Sequence, residues 1–388
     1  MQLKPIEQSF AVNFKYSLHF TSDLFESNND LFKEVIKSYK PNEKVKLLFV
    51  LDDGVLKNHP KLSETIKEYC LLHNNHLQLT ECLVTPGGEK SKNDHSNVAR
   101  IIAGINNYAI CRHSFVVAIG GGAVIDMAGY AASVAHRGVK LIRIPTTVLS
   151  QNDAAIGVKN GINAYNKKNF IGTFAPPYAI LNDSKFLTSL EQRDWIAGVA
   201  EAIKVALIKD EVFFKTIKEN AIKLKERDMD AMLNTIYRCA EMHMEHIAKG
   251  GDPFESGSSR PLDFGHWSAH KLEQMSDYSL RHGEAVAKGI ALDLTYSQLM
   301  GFISVDILEE ILAVMTEIGF DLSIPISGDN EIQELLKGIQ EFREHLGGEL
   351  TITLINGIGK KMDVHQIDME LMKKAVNSLN SKYKINVA

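Results

Sequence analysis

A change of hydrophobic rhythm midway along the chain constrains the fold more than any single residue. Up to about Asp183, short β-rich runs alternate with helical segments, and VKLLFVLDD, HLQLTECLV, SFVVAIGGG, VKLIRIPTT and YAILND read as strands. Such alternation predicts an α/β unit with a mainly parallel sheet and helices on its faces. From about Leu190 the rhythm is helical: Arg193 to Gly250 carries apolar residues at helical spacing with no strand-like run. The boundary is placed between Asn182 and Thr188, giving an α/β domain over 1–184 and a mainly α-helical domain over 185–388. With 388 residues, 45% of them hydrophobic, the chain is long enough for both to bury a core.

Charge and cysteine usage remove several classes of function. Forty-three basic against forty-eight acidic residues leave a formal charge of -5 without a basic run, so neither nucleic acid nor an anionic membrane is an expected partner. Cys70, Cys82, Cys111 and Cys239 are too scattered for a disulfide framework or a thiolate zinc site. The start MQLKPIEQSF lacks the layout of a signal peptide, and no apolar run is long enough to span a bilayer. The expected location is cytoplasmic.

Three stretches carry candidate chemistry. In FVVAIGGGAVIDMAGYAA a buried strand runs into Gly120, Gly121 and Gly122, where a phosphate can approach backbone amides at the start of a helix bearing Asp126. The spacing is not G-x-G-x-x-G, and glycine triplets also serve as plain tight turns. Asp52, ending an earlier strand, has the type and place of a ribose-binding acid, although a helix cap is the commoner role for one aspartate. The second stretch, Pro145 to Pro177, is too polar for a core and too long for an ordinary connection. Its Asp153, Lys159, Lys168 and Asn169 suit an anionic, hydroxyl-bearing ligand; a solvated surface loop is the bland alternative.

The third stretch, RPLDFGHWSAHKLEQMSDYSLRHGEAV, spends three histidines on a segment rich in apolar residues. His266 and His270, four apart, share a helix face, and His282 falls at the start of the next helix. One such histidine is usually a hydrogen-bonded core residue; three within seventeen residues fit a metal that needs three or four donors. Glu201, inside GVAEAIKVALI, is a carboxylate in an apolar helix that needs a partner to be buried, and so is a candidate oxygen donor. Lys204 lies one turn on, where a surface salt bridge with Glu201 is the simpler reading.

Together, GGGAVIDMAG, PTTVLSQNDAAIGVKNGIN, KKNFIG, GVAEAIK, FGHWSAH and HGEAV resemble, in order and close to spacing, the dehydroquinate synthase-like sugar phosphate cyclases, over roughly Asp52 to Glu349. The resemblance implies NAD and zinc, with cobalt as a substitute, in an enzyme that oxidises a sugar phosphate transiently, eliminates phosphate, returns the hydride and closes a carbocycle by aldol addition. It places the zinc ligands on Glu201, His266 and His282, and gives His270 a role near the phosphate or in proton transfer. It assigns dinucleotide contacts to Asp52, Glu89, Lys92, Gly121, Gly122, Asp126, Thr146 and Thr147. Asp153, Lys159, Asn169 and Lys204 fall on the substrate, and Lys168 between substrate and cofactor. Arg137 corresponds to an arginine that reaches a neighbouring subunit's site, which implies a homodimer.

Three positions depart from the dehydroquinate synthase pattern. Its arginine seven before the first histidine ligand is Ser259 here, its asparagine three before is Asp263, and a lysine pair near the end is Arg343-Glu344. Losing a cation and gaining a negative charge disfavours a carboxylated substrate. The expected substrate is therefore a neutral ketose such as sedoheptulose 7-phosphate, giving a valiolone-type cyclitol, with 3-dehydroquinate synthase as the alternative. A metal-dependent alcohol or glycerol dehydrogenase shares the two-part architecture, and a non-catalytic scaffold would retain it too; the GVAEAIK glutamate and the Asp153 to Lys159 spacing speak for the cyclase.

Overall fold

The computed structural model describes residues 5–165, 167–254, 260–326 and 328–383. The five expected strands form, as β2 (Val45–Asp52), β3 (Leu77–Thr85), β4 (Phe115–Gly120), β5 (Lys140–Pro145) and β8 (Ala179–Asp183). A further strand, β1 (Ser17–Thr21), joins them in one sheet of order β1-β8-β5-β4-β2-β3, with every pair parallel. The inner strand β2 shows why: Leu47, Phe49 and Leu51 enter the core on one face of the sheet, and Leu48 and Val50 that on the other. A strand covered on both faces must be apolar throughout. From β2 the chain steps to β3 on one side and returns to β4 on the other. This leaves a crevice between the carboxyl ends of β2 and β4, where Asp52 and Gly120 lie.

The stretch Pro145 to Pro177 corrects the surface-loop expectation. It holds a π-helical turn, Ser150–Ala154, and an antiparallel hairpin of β6 (Lys159–Ala164) and β7 (Lys167–Phe174). Ser150, Gln151 and Asn152 are buried. Their amides bond to backbone carbonyls: Gln151 Nε2 donates to Pro145 and Asp183 (both 3.0 Å), and Asn152 Nδ2 to Gly198 (2.8 Å). Polarity alone misjudged burial because both amide nitrogens find carbonyls, although Gln151 Oε1 and Asn152 Oδ1 are buried with no hydrogen bond among the described residues. Arg143 of β5, fully buried, donates to the carbonyls of Ala155 (2.8 Å) and Gly157 (2.5 Å) and to Asn160 Oδ1 (2.8 Å), which anchors the chain between turn and hairpin.

After Asp183 the chain is helical around one large core, except for a hairpin of β9 (Ile352–Gly357) and β10 (Lys360–Val364) near its end. Val199–Lys209 is the central helix, buried from Val199 through Ile208. No helix among the described residues is long and apolar enough to cross a membrane.

Candidate active site

Three helix starts converge on one point. Glu201 lies in the first turn of Val199–Lys209, His266 opens the helix His266–Met275, and His282 opens His282–Leu299. Two contacts that only glycine allows bring them close. A Cβ on Gly283 would stand 2.0 Å from the Ala197 carbonyl oxygen, so the His282 helix can start against the chain that leads into Glu201. Gly265, with φ of +77°, meets Gly289 so tightly that a Cβ on Gly289 would lie 2.0 Å from the Gly265 oxygen. The Nε2 atoms of His266 and His282 each lie 3.6 Å from Glu201 Oε1.

Both imidazoles are oriented for this meeting. His266 Nδ1 is 3.1 Å from the Phe264 carbonyl and His282 Nδ1 is 2.9 Å from Glu273 Oε2, so each ring can donate through Nδ1 and present a bare Nε2. Burial, then the charge on Lys204, pushes His266 well below the ordinary imidazole range, which keeps it neutral. Glu201 Oε1 is buried and accepts no hydrogen bond, a costly orphan that a divalent cation would satisfy. One carboxylate and two imidazoles, all mutually within 4.8 Å, form a donor set suited to zinc. His270, Glu273 and His282 are also grouped within 4.8 Å. Glu273, however, is already engaged by Lys168 Nζ at 2.9 and 3.0 Å and by His282, so it supports the first cluster. Burial by itself would raise the Glu273 pKa, but Lys168 and His282 hold it well below the usual carboxylate range.

The pairing of Glu201 with Lys204 is no surface salt bridge: Lys204 is 2% exposed and Glu201 not at all. Lys204 Nζ pairs with Glu201 Oε2, and Asp153 and Asp263 are further acids close enough to act on it. Burial disfavours the ammonium, yet these carboxylates raise its pKa, so Lys204 stays charged. For Asp153 burial acts upward, and Lys204 with His243 hold it well below the ordinary range. His270 stands beside both ligand rings, with centroids 5.5 Å from His266 and 6.0 Å from His282.

The α/β half supplies the other wall. Asp52 caps the next helix through Gly54 N at 2.8 Å and lies against glycines on two sides: a Cβ on Gly87 would be 2.4 Å from its Oδ1, and one on Gly120 2.9 Å from its Cβ. Cap and crevice acid are therefore one residue. Gly121 and Gly122 start the helix Gly122–Val134 that bears Asp126, and Thr146 N bonds the Gly120 carbonyl at 3.1 Å, which brings Thr146 and Thr147 to the same turn. None of the three glycines has positive φ; what the turn needs from them is space. This open glycine turn, flanked by an acid and two threonines at a strand switch, fits a dinucleotide. Lys92, 1% exposed, centres a network with Asp126 (2.7 Å), Glu89 (3.6 Å) and Asn169 Oδ1. Asn163 supports it, donating to Glu89 Oε1 at 3.0 Å and accepting from Asn169 N at 2.8 Å, where Asn169 has φ of +53°.

Not every expected residue joins these groups. Lys159 lies at the exposed start of β6, and Arg137 is exposed in a left-handed turn with φ of +61°. Ser259 falls outside the described residues. Arg343 Nε donates to the Gly348 carbonyl at 2.7 Å, and Glu344 faces Lys167 at 4.0 Å. Glu273 and His243 went unread. Glu273 lies seven residues after His266, two turns along one face, so helical spacing contained a signal for it. His243, in a methionine-containing helix far away in sequence, carried none.

The chain and its fold match known proteins over most of their length. Residues 82–197 fit the family model for the 3-dehydroquinate synthase N-terminal region and residues 198–343 that for its C-terminal region. A 3-dehydroquinate synthase from Thermodesulfovibrio yellowstonii is 33% identical over 296 residues, 76% of this chain and 81% of that protein. Another, from Dictyoglomus turgidum, is 34% identical over 311 residues, 80% and 84% of the two. The structure of the 2-epi-5-epi-valiolone synthase ValA from Streptomyces hygroscopicus subsp. jinggangensis, with NAD+ and Zn2+ bound, superposes with a TM-score of 0.86 at 26% identity, covering 97% of this chain and 100% of that one. A 2-deoxy-scyllo-inosose synthase with NAD+ and Co2+, at 23% identity and a TM-score of 0.77 over 93% and 96%, shares the fold. The chain belongs to the dehydroquinate synthase-like family of sugar phosphate cyclases.

Proposed function

We propose that this chain is an NAD- and divalent-metal-dependent cyclase that converts a heptulose phosphate into a carbocycle with release of inorganic phosphate. The observation that carries the reading is the orphaned Glu201 Oε1, with two bare imidazole nitrogens 3.6 Å away and a buried Lys204 beside it. Glu201, His266 and His282 would hold the cation, and Asp52, Thr146, Thr147 and the Gly121-Gly122 turn the dinucleotide. When bound, the dinucleotide supplies a hydride acceptor that is restored within the cycle, and the cation supplies Lewis acidity at the sugar oxygen. Lys204 keeps a fixed positive charge beside the cluster, and ionised Asp153 can accept from a sugar hydroxyl. Lys159, Lys168 and Asn169 of the hairpin are assigned to the phosphate end, and His270 Nδ1 or Nε2 to proton transfer there.

Substrate choice turns on one carboxylate. The curated relatives, named 3-dehydroquinate synthase at 33–34% identity, favour a carboxylated heptulosonate phosphate, and this is the better supported reading. A second reading, sedoheptulose 7-phosphate giving a valiolone-type product, rests on Asp263, an acid close enough to act on Lys204 where a carboxylated substrate calls for neutrality, and on the likeness to ValA. Protein loaded with NAD and zinc is given each sugar phosphate, and phosphate release is followed with NMR of the product. Phosphate release with a carbocyclic product is expected from one of the two. Release from neither overturns the heptulose phosphate reading, and NADH accumulating in step with substrate loss overturns the cyclase in favour of a net dehydrogenase. A homodimer completed by Arg137 belongs to the same proposal, tested by sedimentation and by mixing an Arg137→Ala chain with an active-site variant.

A further inference from the structure

The long helix Met229–Lys249 turns one face along the charged cluster. Cys239, fully buried on it, has Asp153, Glu201 and Lys204 as its charged neighbours. One turn further, the His243 side chain is 12% exposed, with Nδ1 3.1 Å from Asp153 Oδ1, a close contact without hydrogen-bond geometry. Its Nε2 abuts the next turn, since a Cβ on Gly157 would stand 3.9 Å from it. The ring thus spans the turn that carries Asp153. The backbone of that turn is held separately, by Arg143 on the carbonyls of Ala155 and Gly157.

Asp153 follows Asn152 on a π-helical turn, where carboxylate direction is set by local geometry and by whatever the side chain touches. Lys204 acts on it as a charge, and His243 approaches one of its oxygens most closely, at 3.1 Å. The side chain keeps 20% exposure, and its second oxygen has no hydrogen bond among the described residues. We propose that His243 is a positioning residue: by engaging Asp153 Oδ1 it turns Oδ2 toward the polyol of the sugar phosphate. This deepens the functional reading above and rests on it. Without the imidazole, the nearest strong partner of Asp153 is Lys204, and the carboxylate would turn toward that ammonium and away from a substrate hydroxyl.

Two isosteric variants of the NAD- and zinc-loaded enzyme separate this role from a scaffold role. His243→Phe keeps a ring and removes the nitrogen. It is expected to lower kcat/KM roughly 30-fold, mostly through KM, because a misdirected hydroxyl contact costs tens-fold; zinc content and NAD affinity should stay at wild-type levels. His243→Asn restores a donor where Nδ1 stood, and should recover activity to within about threefold. Wild-type kinetics for His243→Phe, an equal loss in both variants, or zinc lost in step with activity each overturns the proposal. If the wild type turns over neither sugar phosphate, the heptulose phosphate reading falls, and imidazole 15N spectra still decide the pairing. The His243 resonances, assigned by their absence in His243→Asn, should show a protonated Nδ1 that changes in Asp153→Asn. An unprotonated Nδ1, or no change in Asp153→Asn, overturns it as well.

Discussion

The two walls of the site handle charge in opposite ways. On the helical wall, Glu201, His266 and His282 bring three donor atoms together, and Glu201 Oε1 has no hydrogen bond among the described residues. On the wall formed by the α/β half, charges neutralise each other within the protein: Lys92 pairs with Asp126 and Glu89. The first arrangement leaves a buried acceptor without a hydrogen bond, whereas the second meets its charges within the protein. Lys168 and Glu273 join the walls, the lysine from β7 and the glutamate from the helix His266–Met275, so the partner that orients His282 is tied to the hairpin.

The contrast breaks most sharply at Glu201. Glu201→Gln preserves volume and removes the donor charge, and is expected to abolish equimolar zinc and lower activity on the order of 10³-fold, about 4 kcal/mol. Metal analysis of the purified variant checks this, and retained equimolar zinc would remove the proposed centre. Glu273→Gln tests the bridge between the walls. Loss of an orienting partner for His282 should weaken zinc binding by about 10- to 100-fold, read by competition with a chromophoric chelator, and an unchanged affinity would confine Glu273 to the Lys168 pair. Asp263→Asn is expected to shift the ratio of kcat/KM values toward the carboxylated sugar phosphate by about tenfold, one charge repulsion less. No shift in that ratio separates Asp263 from substrate choice.

The smallest effect concerns the scaffold of the helical wall. Asp293, fully buried, accepts from Trp267 Nε1 at 2.8 Å and Gly265 N at 3.0 Å, on either side of His266. Burial outweighs these donors and pushes its pKa up to about 7. In the folded chain it therefore keeps its proton to higher pH than in the unfolded chain. Its stability contribution is fullest below about pH 4, the ordinary carboxyl range, and is lost as pH rises through about 7. Relative to wild type, Asp293→Asn should gain a few degrees of melting temperature between pH 5 and pH 8. A difference independent of pH would mean that Asp293 does not titrate there.

Some parts of the site were legible in the chain because local periodicity places them. His266 falls on the helix that its spacing to His270 announces, His282 on the start of the next, and Glu201 is marked by its apolar surroundings. The strands β2, β4 and β5 were equally plain, since a strand buried on both faces has to be apolar along its length. The edge strand β1 and the hairpin β6–β7 were not, because one-sided or partly exposed strands carry weaker patterns. Gln151 and Asn152 were misjudged for a related reason: their amide nitrogens bond to carbonyls of Pro145, Asp183 and Gly198, which sequence does not bring together.

By itself, the amino-acid sequence determined the division into a parallel α/β half and a helical half, the glycine turn after β4, and the types of residue able to hold a cation. Periodicity and donor chemistry are local properties, so one chain suffices to read them. Only the tertiary structure decided that Glu273 orients His282, that Lys204 is buried with Glu201, and that His243 from a remote helix meets Asp153. Those relations depend on close approaches between distant segments, such as Gly283 on Ala197 and Gly289 on Gly265. Packing creates such contacts, and no local pattern encodes them.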